Sequence, residues 1–172
     1  MAAATKPRDD DAGALLAQLA EVYAEADLTF SGWSCPASTE CCRFGVTGRE
    51  PYVTSIELLA VKRAVAARGG PRSFRKAGPL PREEGAPRGK LPIADVERRC
   101  PMLNDEGRCA AYAARPLGCR TFFCDRASEG GRVRHKEINA LVRRIQEIAA
   151  RHRPAGDRGR PLTRALDDPS IA

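Results

Sequence analysis

The sequence predicts a small α+β domain, mainly helical and irregular between its helices, with one short hairpin and a cysteine metal cluster as its staple. Three observations lead there. Two stretches carry apolar residues at helical spacing, and a third opens on a capping signature. The seven cysteines fall in two groups bordered by Pro, Gly and other turn residues. The chain of 172 residues is 42% hydrophobic, yet aromatics supply only 5% of it and charged residues 30%. So modest a core benefits from a staple beyond packing.

The elements follow in order. Residues 1–10 read as a flexible polar tail. Asp11 is placed to cap a helix over 12–26, whose Leu15, Leu16, Leu19, Val22 and Tyr23 share one stripe. An irregular cysteine loop rich in Ser, Gly and Thr occupies 31–49. Thr54 and Glu57 form a T-x-x-E capping box that starts a helix toward Arg68, and Gly69, Gly70 and Pro71 end it. Residues 71–92, inside PRSFRKAGPLPREEGAPRGKLP, read as a mobile Pro/Gly-rich loop leading to a short strand at 91–94.

Beyond that loop, CPMLNDEGRCAAY predicts a tight hairpin, with Asn104 to Gly107 as its turn. ARPLGCRTFFC follows as a second cysteine-bearing loop. An amphipathic helix over 134–152 buries Ile138, Leu141, Val142, Ile145 and Ile148. Pro154 stops it, and 154–172 reads as a second flexible tail. A single domain at 11–153 remains.

Composition narrows the function. No stretch of 18 apolar residues exists, so no membrane-spanning helix is expected. The first twenty residues place acids before apolar positions and lack the apolar run of a signal peptide, which favours a cytoplasmic protein with reduced thiols. Seven cysteines is also an odd number for a purely internal disulfide set. The net charge of +7 gathers in Arg-rich stretches at 62–76, 132–144 and 151–164. None interleaves aromatics with basic residues, so a solvated surface is favoured over nucleic-acid binding. No P-loop, GxGxxG or Ser-His-Asp arrangement is evident, and no catalytic constellation marks an enzyme.

The cysteines carry the chemistry. Cys35, Cys41 and Cys42 form the first group; Cys100, Cys109, Cys119 and Cys124 form the second. Thiolates are soft donors suited to zinc, iron–sulfur centres and Cu(I), and a tetrahedral site needs four of them. No C-x-x-C knuckle occurs, but four cysteines within 25 residues is dense for inert core thiols. All seven are candidate metal ligands. Cys100, Cys109, Cys119 and Cys124 are favoured, with Cys35 and Cys42 contributing. Cys41 is expected to point away, because neighbouring side chains diverge in extended chain. His135 and His152 are read as surface histidines.

CPMLNDEGRCAAYAARPLGCRTFFC, residues 100–124, resembles the later block of the YkgJ-type cysteine-cluster family of zinc- or iron-chelating domains. The positions that carry the likeness are Cys100-Pro101, Leu103, Cys109, Tyr112, Arg115-Pro116, Cys119 and Cys124. CPASTECC resembles the family's opening C-x-x-C-x-x-C-C, with Ser38 in place of the second cysteine. The resemblance covers about 33–124 and implies a chelating function holding zinc or iron, an iron–sulfur cluster included, without a settled reaction. It leaves open a metal-stabilised module with a protein partner, an electron-transfer or accessory protein, a metal-dependent oxidoreductase and a component of a protein-modifying system. A thiol redox sensor with a Cys41–Cys42 vicinal disulfide is a further alternative. Arg115 has two readings: a structural ion pair beside Pro116, or a hydrogen bond to cluster thiolates.

Overall fold

The computed structural model describes residues 9–30, 40–68, 99–104, 107–121, 135–154 and 156–167. The expected loop at 71–92 and strand at 91–94 lie outside them, as do Cys35, Ser38 and Cys124. The described chain is mainly helical with one small antiparallel sheet, the α+β arrangement the sequence predicts. Among the described residues, no helix is long and apolar enough to cross a membrane.

Helix α1 spans Asp9–Thr29, longer at both ends than the apolar stripe predicts. Asp11 therefore lies in the first turn and is not the cap. An acidic residue is favourable there against the partial positive charge of a helix N-terminus. At the far end Phe30 donates its N–H to the Ala26 carbonyl at 3.0 Å and is itself buried, an anchor outside the predicted stripe. A 3₁₀ turn at Glu40–Cys42 leads into α2 (Phe44–Thr47) and strand β1 (Tyr52–Val53). Helix α3 (Ser55–Ala66) starts at the predicted capping box: Thr54 is the N-cap, and its N–H donates to Glu57 Oε2 at 3.0 Å.

The predicted hairpin is present in short form. Leu103 and Cys109 make an antiparallel bridge, and the Asn104 N–H donates to the Arg108 carbonyl at 2.9 Å. Gly107 adopts φ 72, a left-handed conformation that suits glycine in this turn. A 3₁₀ turn (Tyr112–Ala114) then precedes α4 (Leu117–Thr121). Helix α5 spans His135–His152, as its periodicity predicts.

Two apolar clusters flank α3. Leu15, Leu19, Val22 and Tyr23 of α1 meet Leu141, Ile145 and Ile148 of α5, with Ile56 and Leu117 at the junction. On the other side Leu58, Val61 and Val65 pack with Phe44, Val53, Met102 and Cys100. Helix α3 is thus sandwiched, and the cysteine segments border the second cluster.

The expected tail from residue 154 is overturned over 160–167. Strand β2 (Arg160–Pro161) pairs antiparallel with β1, and α6 (Leu162–Asp167) buries Leu162 and Ala165 in the second cluster. Carboxylates fasten the segment. Asp157 accepts the Ser55 N–H at 2.6 Å and the Gly159 N–H at 3.2 Å. Glu50 accepts the Thr163 N–H at 2.7 Å and its hydroxyl at 2.6 Å. Ser55 and Asp157 are 102 residues apart, and Glu50 and Thr163 are 113, so no local pattern announces these pairs. Truncating Leu162 to Ala should destabilise the protein by about 2–5 kcal/mol in urea unfolding, as for a fully buried leucine. A loss below about 0.5 kcal/mol, typical of a surface position, would show that the segment is not docked.

His152 is likewise not a simple surface residue. It is half-buried, with Nδ1 2.7 Å from Ser55 Oγ. Burial lowers its pKa from the ordinary 6.5, and the Arg153 charge adds to that against the opposing pull of Asp157. As the pH falls, the unfolded chain therefore takes up this proton first. The stability linked to His152 is intact above the unfolded value of 6.5 and is lost below it. His152→Gln should accordingly flatten the decline in unfolding midpoint below pH 6.5, measured by thermal unfolding across a pH series. An unchanged decline would place the acid sensitivity elsewhere.

Candidate metal centre

Five of the seven cysteines fall within the described residues, all as free thiols. Their backbones arrive from three directions. The 3₁₀ turn Glu40–Cys42 supplies Cys41 and Cys42, the hairpin supplies Cys100 and Cys109, and α4 supplies Cys119. The first two segments are stitched together by an Arg43–Arg99 antiparallel bridge and by the Cys100 N–H donating to the Cys42 carbonyl at 2.7 Å. Chain segments separated by the long central stretch thereby become neighbours at their cysteines.

Cys41 does not turn away from its neighbour. The pair lies in a helical turn, where adjacent side chains do not alternate as they do in a strand, and its sulfurs stand 3.8 Å apart. Four thiolates about 2.3 Å from a zinc ion at tetrahedral angles stand about 3.8 Å from one another. The Cys41–Cys42 spacing matches that edge.

Each thiol with a displaced pKa feels other thiols of the group. Cys41 is held far above the ordinary thiol range, first by its hydrogen bond with Cys42 and then by burial. Cys42 is pushed up to about 12, chiefly by a hydrogen bond with Cys100; its bond to Cys41 acts the other way. Burial raises Cys109, and raises Cys119 strongly, with Cys109, Cys42 and Cys41 adding to the latter. The five thiols thus form one electrostatic neighbourhood, and in it Cys41, Cys42, Cys109 and Cys119 are disfavoured as thiolates without a compensating cation. Among the described residues, no three His, Cys, Asp or Glu side chains are gathered tightly enough to hold an ion as they stand. The donor chemistry fits a soft metal all the same: thiols only, clustered and free.

Arg115 takes the structural reading, an ion pair beside Pro116. Its Nη2 lies 3.6 Å from Asp27 Oδ1, and its guanidinium sits 4.0 Å over the Tyr112 ring. Its charge also pulls Cys41 and Cys109 down, partly offsetting their upward shifts. His135 is exposed, and His152 is engaged with Ser55.

Sequence reasoning missed the polar residues that hold the cysteine-bearing segments. Glu57 was read only as half of a capping box, yet it is 3% exposed. It accepts hydrogen bonds from the Tyr23 hydroxyl at 3.3 Å and the Leu117 N–H at 2.9 Å, besides those from Thr54. Burial raises its pKa against the lowering effect of those donors. Arg120, 7% exposed, reaches Asp27 and two backbone carbonyls. Gly118 allows α4 to close on the chain before β1, since a Cβ there would lie 3.0 Å from Pro51 Cβ. Ser55, His152 and Asp157 are also neighbours, but not as a hydrolytic triad. Ser55 is buried at a helix start, and Asp157 binds the backbone N–H of Ser55 and Gly159.

Comparison with curated proteins and with solved structures returned no match. A family model does match, over residues 34–141, which is more than half of the chain. Its name, CxxCxxCC, spells the opening motif that appears here as CPASTECC with Ser38 at the second position. The likeness read from residues 100–124 and the thiol neighbourhood lead to the same place: this chain belongs to the CxxCxxCC family, described as a "Putative zinc- or iron-chelating domain".

Proposed function

We propose that the protein is a metal-stabilised cysteine-cluster module that holds zinc or iron through thiolates. Cys42, Cys100, Cys109 and Cys119 are the central ligands, and Cys35, Cys41 and Cys124 complete or extend the set. The observation that carries this reading is the meeting of five free thiols from three chain segments in one electrostatic neighbourhood. Bound metal would supply the positive charge those thiolates need and would tie the three segments together at their sulfurs. Apparent binding free energies of structural zinc sites, about 10–16 kcal/mol in small peptides, compare with the whole net stability of a domain. Bound metal would then add to the stability that the two apolar clusters already supply.

Replacement of Cys109 or Cys119 by Ser should therefore abolish stoichiometric metal and lower solubility, whereas His135→Ala should change neither. Elemental analysis of anaerobically purified protein reads the result, and full occupancy in either cysteine variant would remove that residue from the ligand set. The visible spectrum separates the metals. Colourless protein with zinc marks a structural module, and brown protein with iron and sulfide marks an iron–sulfur centre.

The raised thiols give the binding a definite pH dependence. Cys42, Cys109 and Cys119, whose pKa values are raised, must release their protons to the solvent on binding metal near neutral pH. The logarithm of metal affinity should rise with pH at a slope of about one per coordinating thiol, so about four for a four-thiolate site. Competition with a chromophoric chelator across a pH series measures it. A slope near zero would contradict thiol ligation.

A further inference from the structure

Helix α4 has five residues and is too short to hold its own conformation; isolated helices below about 12 residues are marginal. It nevertheless carries Cys119, and polar links fix it on both sides of that residue. Two positions earlier, the Leu117 N–H donates to Glu57 Oε1 at 2.9 Å. One position later, Arg120 Nε donates to the Arg115 carbonyl at 2.9 Å, Nη2 to the Ala113 carbonyl and Nη1 to Asp27 Oδ2, both at 2.5 Å. Tyr23 closes the circuit. Its hydroxyl donates to Glu57 Oε1 at 3.3 Å, and its ring lies 4.2 Å beneath the Arg120 guanidinium.

Leu117 already gives α4 an apolar anchor. Burying a carboxylate and a guanidinium to hold the same turn is costly, so charge here is a weak device for stability alone. What directional bonds add is a fixed orientation. On this basis the geometry points to Glu57 and Arg120 as positioning residues for the Cys119 thiolate, acting with Tyr23 and Asp27 to aim it at the metal. The inference rests on the thiolate-metal reading above. Partners one step removed from ligands typically govern metal affinity by about 10–100-fold.

The test uses full-length protein and Co²⁺, whose thiolate charge-transfer and d–d bands report both affinity and geometry. Arg120→Lys keeps the charge and loses the fork that binds Asp27 and the two carbonyls. It should weaken Co²⁺ binding by about 10–100-fold and alter the d–d bands. Asp27→Asn, at a half-exposed position, removes one partner of the same guanidinium and should shift both readouts in the same direction. Leu141→Ala is the control. It should lower the unfolding midpoint in the apolar cluster and leave Co²⁺ affinity and bands as in the wild type. Affinity falling in step with stability across all three variants would overturn the positioning role, as would wild-type affinity and bands in Arg120→Lys and Asp27→Asn. Wild-type protein giving no thiolate-to-Co²⁺ band would overturn the metal reading itself, and this inference with it.

Discussion

Glu57 is a carboxylate buried where α1, α3 and α4 meet, and three otherwise separate stretches of chain depend on its two oxygens. Oε2 closes the start of α3, while Oε1 accepts from the Tyr23 hydroxyl of α1 and the Leu117 N–H of α4. A buried carboxylate without such donors would cost several kcal/mol or lose its charge. With them it turns a capping residue into a joint. Burial still raises its pKa, so the donors offset the desolvation only in part. Opposite it, Arg120 joins α4 to Asp27 of α1, and the Tyr23 ring lies between the two charges. The turn that carries Cys119 is therefore held by polar bonds as well as by the buried Leu117.

The thiols occupy the opposite electrostatic condition. Burial and mutual proximity favour their protonated forms, strongly for Cys41 and Cys119 and to about 12 for Cys42. Such thiols are poor nucleophiles and slow to oxidise, which weighs against a fast peroxide sensor. A soft cation reverses the balance, because one ion compensates several thiolates at once. The same clustering that suppresses thiol reactivity favours metal chelation, and Arg115 adds a fixed positive charge nearby.

Much of this architecture was legible from sequence, for identifiable reasons. The capping box at Thr54 and Glu57 is a local signal, and α3 starts where it predicts. The stripes of α1 and α5 mark their buried faces, with Leu15, Leu19, Leu141, Ile145 and Ile148 all in the core. The Asn104–Gly107 turn likewise follows from residue chemistry. The docked C-terminal segment escaped notice because its anchors are long-range: Asp157 to Ser55, Glu50 to Thr163 and the Leu162 N–H to the Pro51 carbonyl. The Cys41 and Cys42 sulfurs stand together because the pair lies in a 3₁₀ turn, where the sequence suggests extended chain. Arg120 gave no sequence signal, since an arginine beside cysteines in a basic chain is indistinguishable from surface until its burial is seen.

On the proposed function, this thin-cored protein gathers its cysteines around a metal held by sulfur. X-ray absorption at the metal edge of anaerobically purified full-length protein tests it most directly. Thiolate ligation gives a first shell of sulfur alone, with metal–sulfur distances of about 2.3 Å for zinc. A first shell dominated by nitrogen or oxygen, or protein that is folded and metal-free, would contradict it.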